Sequence, residues 1–164
     1  MNTDAELLKL AMQVGSHLTQ TARQLVTAES CTGGWVAKVL TDVSGSSQFY
    51  LGSAVTYSNA LKQSLLQVNE STLLTYGAVS EATVREMACG ALVRLGGQVA
   101  VAISGIAGPG GAQPGKPVGT VWFAWAVRRD TAFVCQSRAQ CFSGDREAVR
   151  RHSVTEALRG VLEI

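Results

Sequence analysis

The sequence predicts an α/β fold, a three-layer sandwich in which a mixed β-sheet carries helices on both faces. Three observations predict it. Strand-length apolar runs alternate with segments of helical periodicity through the first half of the chain. One run, Val99 to Ile103, is wholly apolar, as a central strand covered on both faces should be. Two later β-rich runs, Thr120 to Arg128 and Thr131 to Phe142, follow each other around Arg129 and Asp130, which adds an antiparallel hairpin to the parallel part.

The elements can be justified in order. Thr3 to Gln20 reads as a helix, opened by the capping-box pair Thr3 and Glu6, with Leu7, Leu10, Ala11, Val14 and Leu18 on one face. Gln24 to Ala28 is the first strand. Trp35, Val36, Val39 and Leu40 give the next helix its buried stripe, and Ser44 to Gln48 is a loop. Phe49 to Tyr57 is rich in β-formers and makes the second strand. Ser58 and Asn59 then cap a helix through Leu61 to Gln67. Ser71 to Tyr76 is a short helix closed by Gly77 in the left-handed cap position. Ser80 caps Glu81 to Leu95, whose apolar face is Val84, Met87, Ala88, Ala91, Leu92 and Leu95. After Val99 to Ile103 comes a glycine-rich loop, Ser104 to Gly119, then the hairpin. Ser143 and Gly144 open a last helix, Asp145 to Leu162.

Composition bounds the function. The chain has 164 residues, the size of one domain, and no linker or repeat divides it, so residues 1–164 are expected to form a single domain. It is 46% hydrophobic and 16% charged, enough to bury a core. A net charge of +2, 6% aromatics and no basic run argue against a nucleic-acid partner. No stretch is long and apolar enough to span a membrane, and the acidic N-terminus lacks the features of a secretory leader. Four cysteines without a CxxC spacing and two lone histidines make a poor metal set. Free thiols in a reducing cytoplasm are the simplest account.

The chemistry centres on Thr27 to Gly34, TAESCTGG. A strand that ends in small polar residues and two glycines and hands over to a helix presents free N–H groups and the positive end of a dipole. Anions settle at such ends. Ser30 offers a hydroxyl there, although Ser30 or Thr32 could equally be a plain helix cap. Lys62, in the first turns of its helix, breaks the dipole preference for acids, which marks either a site or a solvated lysine. Ser104 to Gly119 follows a buried strand, where a backbone cradle for phosphate often lies. A surface loop is the commoner fate of such a segment. Arg146, Arg150 and Arg151 crowd the start of the last helix, either solvated or with at least one facing an anion. Gly110 to Pro117 approaches a phosphate-loop motif but places Pro117 at the magnesium hydroxyl and is followed by a strand. His17 and His152 have no polar cluster beside them in sequence. What remains is a serine activated by a lysine of lowered pKa, with Tyr57 placed to relay a proton or orient the amine. Cys31 is a rival nucleophile at the same helix end.

Six blocks occur in order: TAESCTGG (27–34), VTYSNALK (55–62), GAVSE (77–81), SGIAGPGG (104–111), KPVGTVWFA (116–124) and FSGDREAVR (142–150). Together they resemble the C-terminal-domain family of the competence- and damage-inducible protein CinA, in particular its free-standing bacterial nicotinamide-nucleotide amidases. The resemblance covers essentially the whole chain. It implies hydrolysis of nicotinamide mononucleotide to nicotinate mononucleotide and ammonia, in pyridine nucleotide salvage, by a Ser/Lys mechanism with no metal or other cofactor. By motif match the nucleophile falls on Ser30 and the lysine on Lys62, with Tyr57 beside them. The loop of Ser104, Gly105, Ile106, Ala107 and Gly108, with Thr32 and Arg146, is then expected to hold the ribose phosphate. Backbone N–H groups from Cys31 through Gly33 and Gly34 are expected to receive an oxyanion. The resemblance also implies a homo-oligomer. The pyrophosphatase domain of longer family members is not expected. The alternative is a non-catalytic module that keeps the nucleotide pocket and acts through a partner protein.

Overall fold

The computed structural model describes residues 3–130 and 132–164. Among them lie six α-helices and five strands: α1 (Asp4–Gln20), β1 (Leu25–Glu29), α2 (Trp35–Thr41), β2 (Tyr50–Val55), α3 (Asn59–Leu66), α4 (Glu70–Tyr76), α5 (Glu81–Leu95), β3 (Val99–Gly105), β4 (Thr120–Arg129), β5 (Ala132–Cys141) and α6 (Arg146–Val161). The strands form one sheet in the order β2-β1-β3-β4-β5. β1 runs parallel to both β2 and β3, while β3–β4 and β4–β5 are antiparallel. The sheet is mixed, as expected.

Period-two alternation sorts the two faces. Leu25, Val99, Val101, Ile103, Phe123 and Trp125 point into one core with α1, α2 and α6. Val26, Ala28, Ala100, Ala102, Ala124 and Ala126 point into the other, with α5 and the ends of α3 and α4. The second face is mostly alanine, which lets α5 lie close. At Gly90 of α5 a β-carbon would overlap the Leu66 carbonyl at the end of α3. Three layers result, with β1 and β3 buried at their centre.

Several boundaries differ from expectation. β1 extends one residue to Glu29, because Glu29 still pairs with Val55 and Ile103. β2 ends at Val55, not Tyr57. Thr56 N–H makes a last bond to Glu29 O at 2.8 Å before the chain turns to the Ser58 cap. Ser46–Gln48 is a short 3-10 turn within the expected loop. Gly77 has φ 77° but ψ 170°, so it closes α4 with an extended turn instead of a left-handed one. Asp145, not Ser143 or Gly144, caps α6, its carboxylate accepting Ala148 N–H at 2.8 Å. The expected start of the last strand, Thr131, lies outside the described residues.

Candidate active site

The carboxyl ends of β1, β2 and β3 meet at one edge of the sheet, and Ser30 is the first residue past β1. Its N–H donates to Ile103 O of β3 at 3.0 Å, so its backbone is anchored to the central strand. The chain then turns through Gly33 (φ 62°) and Gly34 (φ 92°) into α2. Two successive positive φ values in a tight turn suit glycine, which carries no β-carbon to clash.

The N-terminus of α2 is not free. Glu29, fully buried, turns its carboxylate back over the turn. It accepts from Gly34 N–H (2.9 Å), Val36 N–H (3.1 Å), Ala37 N–H (2.9 Å) and the Thr32 hydroxyl (2.7 Å). The anion that a helix start favours is therefore supplied by the chain itself. This corrects three expected ligands. The Thr32 hydroxyl and the Gly34 amide are spent on Glu29, and the Gly33 amide is spent on Ser30 O at 3.0 Å.

On the other side of Ser30 lies Lys62, only 1% exposed. α3 begins at the Ser58 cap, and one turn later Lys62 points back under the strand ends. Its Nζ donates to Ser30 Oγ at 3.0 Å, to Thr56 O at 2.7 Å and to Tyr57 O at 3.4 Å. No carboxylate makes an ion pair with it among the described residues. Burial pushes its pKa down to about 8, against a small opposing pull from Cys31. An amine so placed can lose its proton near neutral pH and accept one from a hydroxyl. Cys31 is different. Burial pushes its thiol up to about 12, so it stays protonated at neutral pH despite the helix end beside it.

Ser30 and Lys62 open into a cavity of about 200 Å³. Tyr57, Ser104, Gly105, Ala107 and Arg146 line it with them, and so do Cys31, Ala78 and Val79. The Ser104 hydroxyl makes no bond to a protein group among the described residues. Ile106 and Gly108 lie outside the lining. Both backbone groups of Ile106 are used in bonds to Thr120 and Gly119. Gly108 O accepts from Arg146 Nη1 at 2.8 Å. Tyr57 is 62% exposed and does not reach the lysine through its hydroxyl. That oxygen takes Arg146 Nη2 at 3.2 Å, and it is the Tyr57 carbonyl that faces Lys62. Larger hollows elsewhere, such as one of about 420 Å³ beside Tyr76 and Arg85, lack a paired nucleophile and base.

Two residues at the site were not singled out from sequence, Glu29 and the role of Arg150. An acid at the end of the strand that leads through a short turn into a helix is a signal for the first, since the dipole favours a carboxylate folded back onto the helix start. Arg150, one turn along α6 from Arg146, donates to Cys31 O and Thr32 O. Nothing local marks a contact 119 residues away. Arg151 does face anions, pairing with Asp4 and Glu147. His152 stacks on Phe142 with ring centres 5.5 Å apart, outside the cavity.

The architecture and site define a class: a mixed α/β sandwich with a buried lysine set against a serine at a strand end. The chain belongs to the family of the CinA C-terminal domain, whose model matches residues 7–164. It is 53% identical over 157 residues to the nicotinamide-nucleotide amidohydrolase PncC of Escherichia coli K12, covering 96% of this chain and 93% of that one. It is 49% identical over 155 residues to the protein of the same name from Pseudomonas putida, covering 94% of each. A solved structure of the competence damage-inducible protein A from Klebsiella pneumoniae superposes with a TM-score of 0.91 at 41% identity, over 96% of this chain and 95% of that one.

Proposed function

We propose that this protein is a nicotinamide-nucleotide amidase, formed by residues 1–164 as one domain. It converts nicotinamide mononucleotide and water to nicotinate mononucleotide and ammonia, a step of pyridine nucleotide salvage. The observation that carries the chemistry is the 3.0 Å contact between the buried Lys62 amine and the Ser30 hydroxyl. The substrate is suggested by the names of the relatives at about half identity.

Neutral Lys62 takes the Ser30 proton as Oγ bonds to the carboxamide carbon. The tetrahedral intermediate collapses, the C–N bond breaks, and the proton on Lys62 passes to the leaving nitrogen as ammonia. Water then gives a proton to Lys62, and its oxygen attacks the acyl-serine. Cleavage of the ester returns that proton to Ser30 and frees the acid. The Thr56 and Tyr57 carbonyls hold the amine on the hydroxyl throughout.

The cavity is smaller than the roughly 300 Å³ usual for a whole ligand of this size. The pyridine end therefore enters it, and the phosphate stays at the mouth. Arg146 sits there with Tyr57. Its guanidinium has five donors, and its bonds to Gly108 O and Tyr57 leave others for phosphate, alongside the Ser104 hydroxyl. Four free thiols support a cytoplasmic setting. Exposed Leu51 and Val55 on the edge strand β2 support a homo-oligomer.

The test is ammonia release from nicotinamide mononucleotide by the purified chain. Ser30→Ala and Lys62→Met should each lower kcat by about a thousandfold or more, and Cys31→Ala should keep most of it. Free nicotinamide should be the far poorer substrate. A folded wild type that binds the nucleotide without turnover would point to a binding module instead. Sedimentation of the same preparation should give a mass above the 17.2 kDa of one chain.

A further inference from the structure

The turn after Ser30 is gripped from two sides by opposite charges. Glu29 holds the amides of Gly34, Val36 and Ala37. Arg150 on α6 lays one edge of its guanidinium on two successive carbonyls, Nε donating to Cys31 O at 3.1 Å and Nη2 to Thr32 O at 2.9 Å. The guanidinium carbon lies 5.3 Å from the centre of the Trp35 ring, a cation–π contact that holds it in place. A planar fork of this kind usually meets a carboxylate or phosphate. Here it is committed to backbone within two residues of Ser30.

The peptide unit gives the consequence. In a trans peptide, C=O and N–H point opposite ways. Drawing Cys31 O toward Arg150 turns the Thr32 N–H away from it. The Gly33 donation to Ser30 O at 3.0 Å does the same for the Cys31 N–H. Among the described residues, neither amide donates to another residue, but only Cys31 lines the cavity, while Thr32 is fully buried outside it. The amides of Ser30, Gly33, Gly34, Trp35, Val36 and Ala37 are all taken. A cation on the carbonyl of a peptide also polarises its N–H, making it the stronger donor.

We propose that Arg150 is a positioning residue: its hold on Thr32 O fixes the peptide whose Gly33 N–H grips Ser30 O, and so aims the Cys31 amide, at the cavity wall, at the substrate carbonyl oxygen as it becomes an oxyanion. This rests on the amidase reading of Ser30 and Lys62. Arg150 itself touches no reacting atom. It acts by fixing where the Cys31 N–H points before charge develops, the condition under which such a donor lowers a barrier.

The experiment compares wild type, Ser30→Ala, Arg150→Met, Arg150→Lys and Arg150→Ala on nicotinamide mononucleotide. Arg151→Met is the control, on the same Trp35 ring but paired with Asp4 and Glu147. Arg150→Met should lose about a hundredfold in kcat while KM stays within about threefold, because the Cys31 amide acts on the transition state and not on the bound carboxamide. In a Ser30→Ala background, the added Arg150→Met change should leave nucleotide binding by calorimetry unaltered. Lysine, unable to fork across two carbonyls, should restore only part of the rate. Low concentrations of guanidinium should partly rescue Arg150→Ala. Arg151→Met should stay within about threefold of wild type. A kcat for Arg150→Met within threefold of wild type overturns the proposal. So does a loss that appears as raised KM, or as unfolded protein without guanidinium rescue. An inactive wild type overturns the amidase reading and this one together. An active wild type silenced by Ser30→Ala but not by Arg150→Met overturns this one alone.

Discussion

Lys62 sits where an ammonium is poorly served, 1% exposed and with two carbonyls and a hydroxyl as its partners. Its pKa of about 8 has two consequences of defined sign. In the proposed mechanism the base form does the work, so kcat/KM should climb as pH rises through about 8 and level off above it, with about a tenth of the lysine neutral at pH 7. Stability moves the same way for a different reason. The unfolded chain keeps the ordinary value of 10.5, so between about 8 and 10.5 it binds more protons than the folded one. Folding stability contributed by this residue therefore rises with pH across that window, and below it the desolvation cost is borne in full. Removing the charge should relieve that cost. Lys62→Met, expected to be inactive in the proposed mechanism, should be more stable than wild type at pH 7 by about 2 kcal/mol, the shift being worth about 3 and the lost hydrogen bonds returning about 1. The gain should shrink toward pH 10.5. Urea titrations at the two pH values read it, and a variant less stable than wild type at pH 7 would show that Lys62 is better solvated than its burial says.

At the scale of the element, α2 is a seven-residue helix whose start is closed by a residue of the strand before it. A short helix gains little from propensity. Its position comes from Glu29, which joins the end of β1 to the first turn of α2 and leaves Ser30 on the hinge between them. Glu29→Gln keeps the shape but replaces one oxygen with an NH₂ group facing N–H donors. Leaving one or two buried amides unmatched costs about 1–3 kcal/mol each. The variant should therefore lose about 2–4 kcal/mol in urea unfolding, and kcat should fall with it as the turn loosens. Stability within about 0.5 kcal/mol of wild type would mean that α2 holds its start without the carboxylate. The sequence made this strand–turn–helix unit legible but misassigned its polarity. The glycines and the polar run located the turn. The expectation that its amides lie open overlooked the acid one residue before Ser30, because hydrogen bonds that fold back across a turn leave no periodic trace.

Over the whole molecule, the layers were readable because the apolar runs of β1 and β3 and the stripes of α1 and α5 are strong local signals. The places of Ser30 just past β1 and of Lys62 in the first turn of α3 were readable for the same reason, since each sits within a few residues of an element boundary. Arg146 of α6 was expected at the site, but the reach of Arg150 to the serine turn was not readable, because its contacts are long-range. At 16 residues α6 spans about 24 Å. Its first turns carry Arg146 to the cavity mouth and Arg150 to the serine turn. Its last turns are locked to the sheet by Trp125, whose indole N–H donates to Ala157 O at 2.9 Å. Gly160 makes that seat possible, since a β-carbon there would overlap the Trp125 ring. Two forces compete in Gly160→Ala. Helix propensity alone would stabilise the variant by up to about 1 kcal/mol. Overpacking against a buried indole costs about 1–3 kcal/mol and can be relieved only by lifting the helix. The ring is rigid and 2% exposed, so the second force should win. Gly160→Ala should be destabilised by about 1–2 kcal/mol in urea unfolding. Because α6 moves as one rod, kcat should fall as well, although the substitution lies at the end of the helix opposite Arg146 and Arg150. A variant more stable than wild type and fully active would show that α6 is free to settle elsewhere, and that the site does not depend on where Trp125 holds it.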